Sequence, residues 1–144
     1  MLFCISIGWA NSSKLHSVGI GVGNHYGGYD GGVAYSLRWN EKWGAMVGAG
    51  TDGIGIGGRY YPLVESTGEN RFYVQAGFSP TYWNEYIGSV YGPDAAVGWE
   101  LNRKVFHFNA AVGVTYVEVL FIDEMLFLLD LGIGINFGKR DPQD

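Results

Sequence analysis

The chain of 144 residues lacks several features on which common protein classes depend. It has one cysteine, Cys4, which excludes an internal disulfide and a zinc cluster built from cysteines. Only 16% of its residues are charged, against about 25% in typical soluble domains. The net charge of -5 gives no reason to expect nucleic-acid binding. No apolar run approaches the roughly 20 residues of a transmembrane helix, so a scan for such helices would classify the chain as soluble.

Glycine and aromatic residues are abundant instead, with 24 glycines and 16% aromatics in a chain long enough for one domain. The first ten residues are apolar and end in Gly-Trp-Ala, a pattern that suits signal-peptidase cleavage. The sequence therefore predicts a truncated signal peptide or a disordered N-terminus over residues 1–15. A barrel is predicted over 16–137 and a polar tail over 138–144.

Alternation of apolar with small or polar residues recurs along the chain and predicts β-strands. In residues 105–119, every second residue from Phe106 to Tyr116 is apolar, and the residues between them are mostly small or polar. The same period of two defines eight segments: 16–23, 32–40, 43–50, 53–61, 71–79, 94–101, 105–119 and 125–137. No segment has a sustained helical period, and short connectors with turn residues join neighbours. The fold class predicted is an all-β, eight-stranded, antiparallel up-and-down barrel.

The side chains of each segment form two rows, one rich in glycine and one bulky and apolar. The composition of the two rows indicates which of them faces the inside of the barrel. The row rich in glycine would make a poor water-facing surface, because a soluble surface carries many charges. The other row is bulky, with residues such as Trp39 and Trp99, and would overfill a narrow barrel of eight strands. Inverting the faces removes both problems and predicts a transmembrane β-barrel. The alternative left open is a soluble barrel of the lipocalin or avidin type, which would bind an apolar small ligand.

Aromatic residues on the outward row fall near strand ends, as expected at a membrane–water interface. When strand direction alternates, one rim receives a predicted girdle of Trp39, Trp43, Tyr60, Phe72, Trp99, Phe106 and Phe137. The opposite rim receives Tyr26, Tyr29, Phe78, Tyr82, Trp83, Tyr91, Tyr116 and Phe121. The connector from Pro80 to Tyr91 is also rich in aromatics. It would anchor the interface or bind a partner.

Polar residues on the inward row predict a network inside the barrel. Its predicted members are Arg38, Arg59, Tyr61, Gln75, Glu100, His107 and Asp130, and Tyr73, Asn109 and Asn136 point the same way. Because charges in a narrow lumen need partners, we expect the two arginines to pair with Glu100 and Asp130. The network would act as a plug, or it would line a narrow ion path.

No catalytic, metal-binding or cofactor-binding residue is predicted. Ser36, Ser79 and Ser89 do not lie in a nucleophile motif, and His107 has no serine close to it in its strand. His16 and His25 lack the spacing of metal ligands. We therefore expect a protein that is not an enzyme.

Three segments give the chain a family resemblance. They are Gly57–Pro62 with its Gly-Arg-Tyr-Tyr run, Phe72–Gly77 and Ala96–Glu100. They resemble strands of small outer-membrane β-barrels of Gram-negative bacteria, the OmpA/OmpX-like and porin-like superfamily. The last strand resembles the family's assembly signal, with Asp130, Gly132, Ile135 and Phe137 in the polar, glycine, apolar and aromatic places.

The resemblance implies location in the bacterial outer membrane as a monomer. It also implies contact with membrane lipid and lipopolysaccharide, and recognition by the barrel-assembly machinery during insertion. The function expected is that of an integral outer-membrane barrel with a mostly occluded polar lumen. Its role would be structural or adhesive, or it would form a very narrow pore.

Overall fold

The computed structural model describes residues 14–63, 70–84, 88–119 and 122–138. The predicted signal or disordered N-terminus lies almost wholly outside these ranges, as does the polar tail beyond residue 138. Within the described residues, no helix has the length and apolarity needed to span a bilayer.

Eight strands form one closed barrel in which each strand pairs with the next in sequence. The strands are β1 Leu15–Gly23, β2 Gly28–Arg38, β3 Trp43–Gly50, β4 Ile54–Tyr60, β5 Asn70–Asn84, β6 Gly88–Arg103, β7 Phe106–Val119 and β8 Ile122–Gly138. All pairs are antiparallel, and β8 returns to pair with β1 from Leu15↔Gly138 to Val22↔Leu131. The predicted eight-stranded, antiparallel, up-and-down barrel is confirmed.

The alternation of the sequence separates the two faces of the barrel wall. In β7, Phe106 is 70% exposed on the outside, whereas His107 beside it is 6% exposed and points inward. Trp39 and Trp43 also lie on the outer face, and the glycines Gly48, Gly55 and Gly132 are buried. The apolar row is therefore outside, and the soluble-barrel alternative, which needs that row inside, is not favoured.

Strands β5 and β6 extend beyond their predicted ends. Their pairing continues past Ser79↔Gly92 to Asn84↔Gly88, with a register shift between Pro80 and Tyr82. Most of the predicted connector from Pro80 to Tyr91 is therefore a hairpin, and the predicted end of the strand at Ser79 is wrong. Proline is tolerated here because β4 pairs with β5 only as far as Phe78, so Pro80 has an open edge on one side.

The connector between β1 and β2 does not stay at the rim. Residues Asn24–Tyr26 form a single 3₁₀ turn, here called the inner turn, and all three are buried. It ends at Gly27, whose φ of 82° is left-handed, a conformation that glycine adopts without strain. Tyr26 is only 1% exposed, so its predicted place in the aromatic rim is wrong.

Candidate functional site

The inner turn packs inside the barrel against the glycine row. A Cβ atom added to Gly48 would meet the backbone oxygen of His25, and one added to Gly55 would meet that of Asn24. On the opposite wall, a Cβ on Gly132 would meet the ring of Tyr26. The inward glycines therefore leave space for a folded segment of the chain, and the lumen is the candidate site.

Glu100 on β6 is the centre of the first lumen cluster. Its carboxylate accepts a hydrogen bond from Arg38 Nη1 at 3.2 Å and from Arg59 Nη1 at 3.5 Å. Tyr61 Oη donates to the same group at 3.1 Å. Asn102 Nδ2 also donates to it, at 2.9 Å. Four donors from strands or strand ends therefore converge on one carboxylate that is 3% exposed.

The remaining members of this cluster extend it across the barrel. Arg59 Nε donates to Gln75 Oε1 at 2.6 Å, and its guanidinium lies 4.3 Å from the ring centroid of Tyr73. His107 Nδ1 lies 2.9 Å from Asn102 Oδ1, which connects His107 to Glu100 through Asn102. The structure therefore brings together Arg38, Arg59, Tyr61, Gln75, Glu100 and His107.

Asp130, the seventh predicted member, lies instead in a second cluster around the inner turn. Its Oδ2 is 2.6 Å from His25 Nδ1, and its Oδ1 accepts the backbone N–H of His25 at 3.0 Å. On the other side of the ring, His25 Nε2 is 3.0 Å from Asp94 Oδ1. Asp94 also accepts a hydrogen bond from Ser79 Oγ at 2.7 Å.

The imidazole of His25 is a cationic bridge in this arrangement. Carboxylate oxygens accept hydrogen bonds and do not donate them, so two ionised partners require a proton on each ring nitrogen. His25, Asp94 and Asp130 are all buried. A buried ion needs a partner, and here one cation serves two carboxylates.

The two clusters complement each other in charge. The first joins two arginines to one carboxylate, and the second joins one imidazolium to two carboxylates. One cluster therefore carries an excess positive charge, the other an excess negative charge, and the six groups together are neutral. Sequence reasoning missed His25 and Asp94, although Asp94 shares the inward parity of Ala96 and Glu100 on β6.

Some hydrogen-bonding capacity stays unused by the protein in the lumen. Among the described residues, buried side-chain atoms without a partner occur in Asn24, Gln75, Asn109 and Asn136. A cavity of about 10 Å³ lies between Tyr26 and His107, which is room for about one water molecule. Polar side chains therefore line the lumen beside the inner turn.

The predicted aromatic girdle lies on the outer face at one rim. Trp43 and Tyr60 are in contact there, with ring centroids 4.9 Å apart, and Phe137 stacks on His16 at 5.5 Å. Of the predicted assembly signal, Asp130 and Gly132 face inward, and Ile135 and Phe137 face outward. For the opposite rim, Tyr29, Phe78, Tyr91 and Tyr116 are exposed. The side chains of Tyr82, Trp83 and Phe121 lie outside the described part.

Among solved structures, the barrel is similar to the N-terminal β-barrel domain of Pseudomonas aeruginosa OprF, with a TM-score of 0.51. The identity is 12%, and the alignment covers 88% of this chain and 98% of that domain. At this identity the likeness shows a shared fold. No protein-family model matches the chain, and no curated protein matches it.

Proposed function

We propose that the chain is an integral outer-membrane β-barrel whose lumen is occluded and whose role is structural or adhesive. The observation that carries the proposal is the polarity of the closed wall. Between the two rims, the outward positions of the described strands carry no Lys, Arg, Asp or Glu, while the charged groups are inside. Such a surface is costly in water and favourable in hydrocarbon.

Closure of the barrel supports the same conclusion. Every strand has a partner on both sides along the shared part of the wall, including the β1–β8 seam. Within a bilayer an unmade backbone hydrogen bond costs several kcal/mol, so spanning sheets must be closed. The likeness to the barrel domain of OprF supports the outer membrane as the location.

Occlusion is supported by what fills the lumen. The inner turn occupies one part, and the Glu100 cluster joins β2, β4 and β6 across another. An ion crossing such a barrel would have to displace Arg59, which is 1% exposed and bound on two sides. This favours a plug over an ion path.

The proposal assigns no catalytic role to the lumen. Ser79 Oγ donates to Asp94, and both ring nitrogens of His25 face carboxylates. His107 is paired with Asn102. A serine nucleophile needs a histidine base within hydrogen-bond reach, whereas the described side-chain partners of His25 and His107 are two carboxylates and an amide oxygen.

Detergent dependence and conductance together test the proposed function. We expect the refolded protein to need detergent or lipid to stay monodisperse. We also expect unheated samples to migrate differently from boiled ones on gels, and planar bilayers to show no resolvable channel. A monodisperse protein in plain buffer would contradict the membrane placement. Steady channel openings would contradict occlusion and leave the placement intact.

A further inference from the structure

The charges of the barrel are divided between its two ends. Every lysine and arginine of the described residues lies near one end of the barrel, at which β1 begins and β8 ends. Each of them is at the end of a strand or within one residue of it. They are Lys14, Arg38, Lys42, Arg59, Arg71, Arg103 and Lys104. The acidic residues described at the opposite rim are Asp30, Asp52, Glu118, Asp123 and Glu124, with no lysine or arginine among the described residues there.

The basic residues at the first end fall into three groups. Arg38 and Arg59 point into the lumen and bind Glu100. Arg71 is buried and donates to the backbone oxygen of Glu41 at 3.0 Å. The remaining four are exposed at the ends of the wall, and we call them the basic rim: Lys14, Lys42, Arg103 and Lys104.

The basic rim coincides with the aromatic girdle. Lys42 immediately precedes Trp43, and Lys104 lies in the turn before Phe106. Aromatic belts mark the level of lipid headgroups, so the exposed cations next to them lie within that headgroup layer. Lysine and arginine near a membrane surface attract anionic headgroups, and the attraction decays within a Debye length.

We propose that the basic rim binds the headgroups of anionic phospholipids in the leaflet that surrounds this end of the barrel. The proposal rests on the membrane placement argued above. Four exposed cations stand against Glu41, the exposed carboxylate described at this rim. The acidic rim at the other end would repel the same lipids, so the preference belongs to one leaflet.

Tryptophan fluorescence can report this preference locally. Trp39, Trp43 and Trp99 all lie in the girdle at the basic rim, so quenching by brominated lipid measures the composition of the lipid next to it. Trp9 and Trp83 are replaced by Phe to remove their signal. The protein is inserted into vesicles of brominated phosphatidylcholine mixed with unbrominated phosphatidylglycerol, and the relative association constant is read from the loss of quenching.

We expect phosphatidylglycerol to be preferred by about threefold at low salt. The preference should vanish near 1 M salt, where the Debye length is about 3 Å. The triple variant K42Q/R103Q/K104Q should lose most of it. The matched control D30N/E118Q/E124Q neutralises three charges at the opposite rim and should leave the reading unchanged.

Equal association constants for the two lipids in the parent protein would overturn the inference. So would an unchanged preference in the basic-rim variant, or an equal loss in the acidic-rim control. Failure to insert into either kind of vesicle would count against the membrane placement itself. Insertion into both without preference would count against the lipid site alone.

Discussion

At the scale of single residues, His25 holds the inner turn between two strands. Its ring connects Asp94 on β6 to Asp130 on β8, and its backbone N–H binds the same Asp130. Removing the ring would leave two buried carboxylates facing each other without a cation. Loss of one partner of a buried ion pair costs about 3–5 kcal/mol, much more than an exposed pair.

We therefore expect His25→Leu to lower the free energy of unfolding by about 3–5 kcal/mol. Adding Asp94→Asn and Asp130→Asn should recover much of that loss, because the buried charges are removed together. Urea unfolding of the lipid-inserted protein measures both changes. His16→Leu is the matched control, since His16 lies on the outer face. A loss in His25→Leu that the two Asn substitutions do not reduce would contradict the bridge.

The alternation of inward and outward residues along a strand predicts the members of the Glu100 cluster but not the partners in the His25 cluster. Arg38, Arg59 and Glu100 lie on regular strands, so counting by twos places them inside. His25 lies in a connector, where the period of two carries no information. Parity also places Asp130 inside, but its partner cannot be known before the path of residues 24–26 is known.

At the scale of elements, the inner turn and the glycines of the wall depend on each other. Gly48 and Gly55 come close to the backbone of the turn. Gly58 faces outward instead, and a Cβ added there would have only the backbone oxygen of Ala76 nearby, at 4.0 Å. The glycines of the wall are therefore not uniform in function. The inward members set the space for the turn, and an outward member does not.

The substitution Gly48→Ala tests this dependence. Because its Cβ would meet the backbone oxygen of His25, we expect a loss of about 1–3 kcal/mol, typical of an overfilled core. The control Gly58→Ala on the next strand should be neutral or slightly stabilising. The midpoints of urea unfolding of the two variants measure the difference in stability. Equal midpoints would show that the turn does not rest on the wall at Gly48.

Element boundaries are predictable where both neighbours constrain a strand. For β3 the predicted and observed bounds agree at 43–50. For β5 the alternation in the sequence weakens beyond Ser79, where the β5–β6 hairpin continues past Phe78, the last residue paired with β4. The pattern in the sequence reports the environment of a strand, so it fades where that environment ends.

At the scale of the whole molecule, the last strand closes the barrel and carries the predicted assembly signal. We expect Phe137→Ala to reduce the yield of folded, heat-modifiable barrel in a Gram-negative host several-fold. Phe127→Ala is the matched control, because Phe127 lies on the same strand and also faces outward. Comparing the folded fraction of the two variants on unheated gels is the measurement. An equal yield would contradict a role of Phe137 in assembly.

The β1–β8 seam has a consequence for the order of events in biogenesis. Val18 finds its partner in Ile135, which the ribosome adds more than a hundred residues later. A growing chain can form hairpins, but the barrel keeps two unpaired strand edges until β8 has been synthesised. Pairing between residues this far apart in the sequence is also slow. The barrel can therefore close only after its last strand has been synthesised.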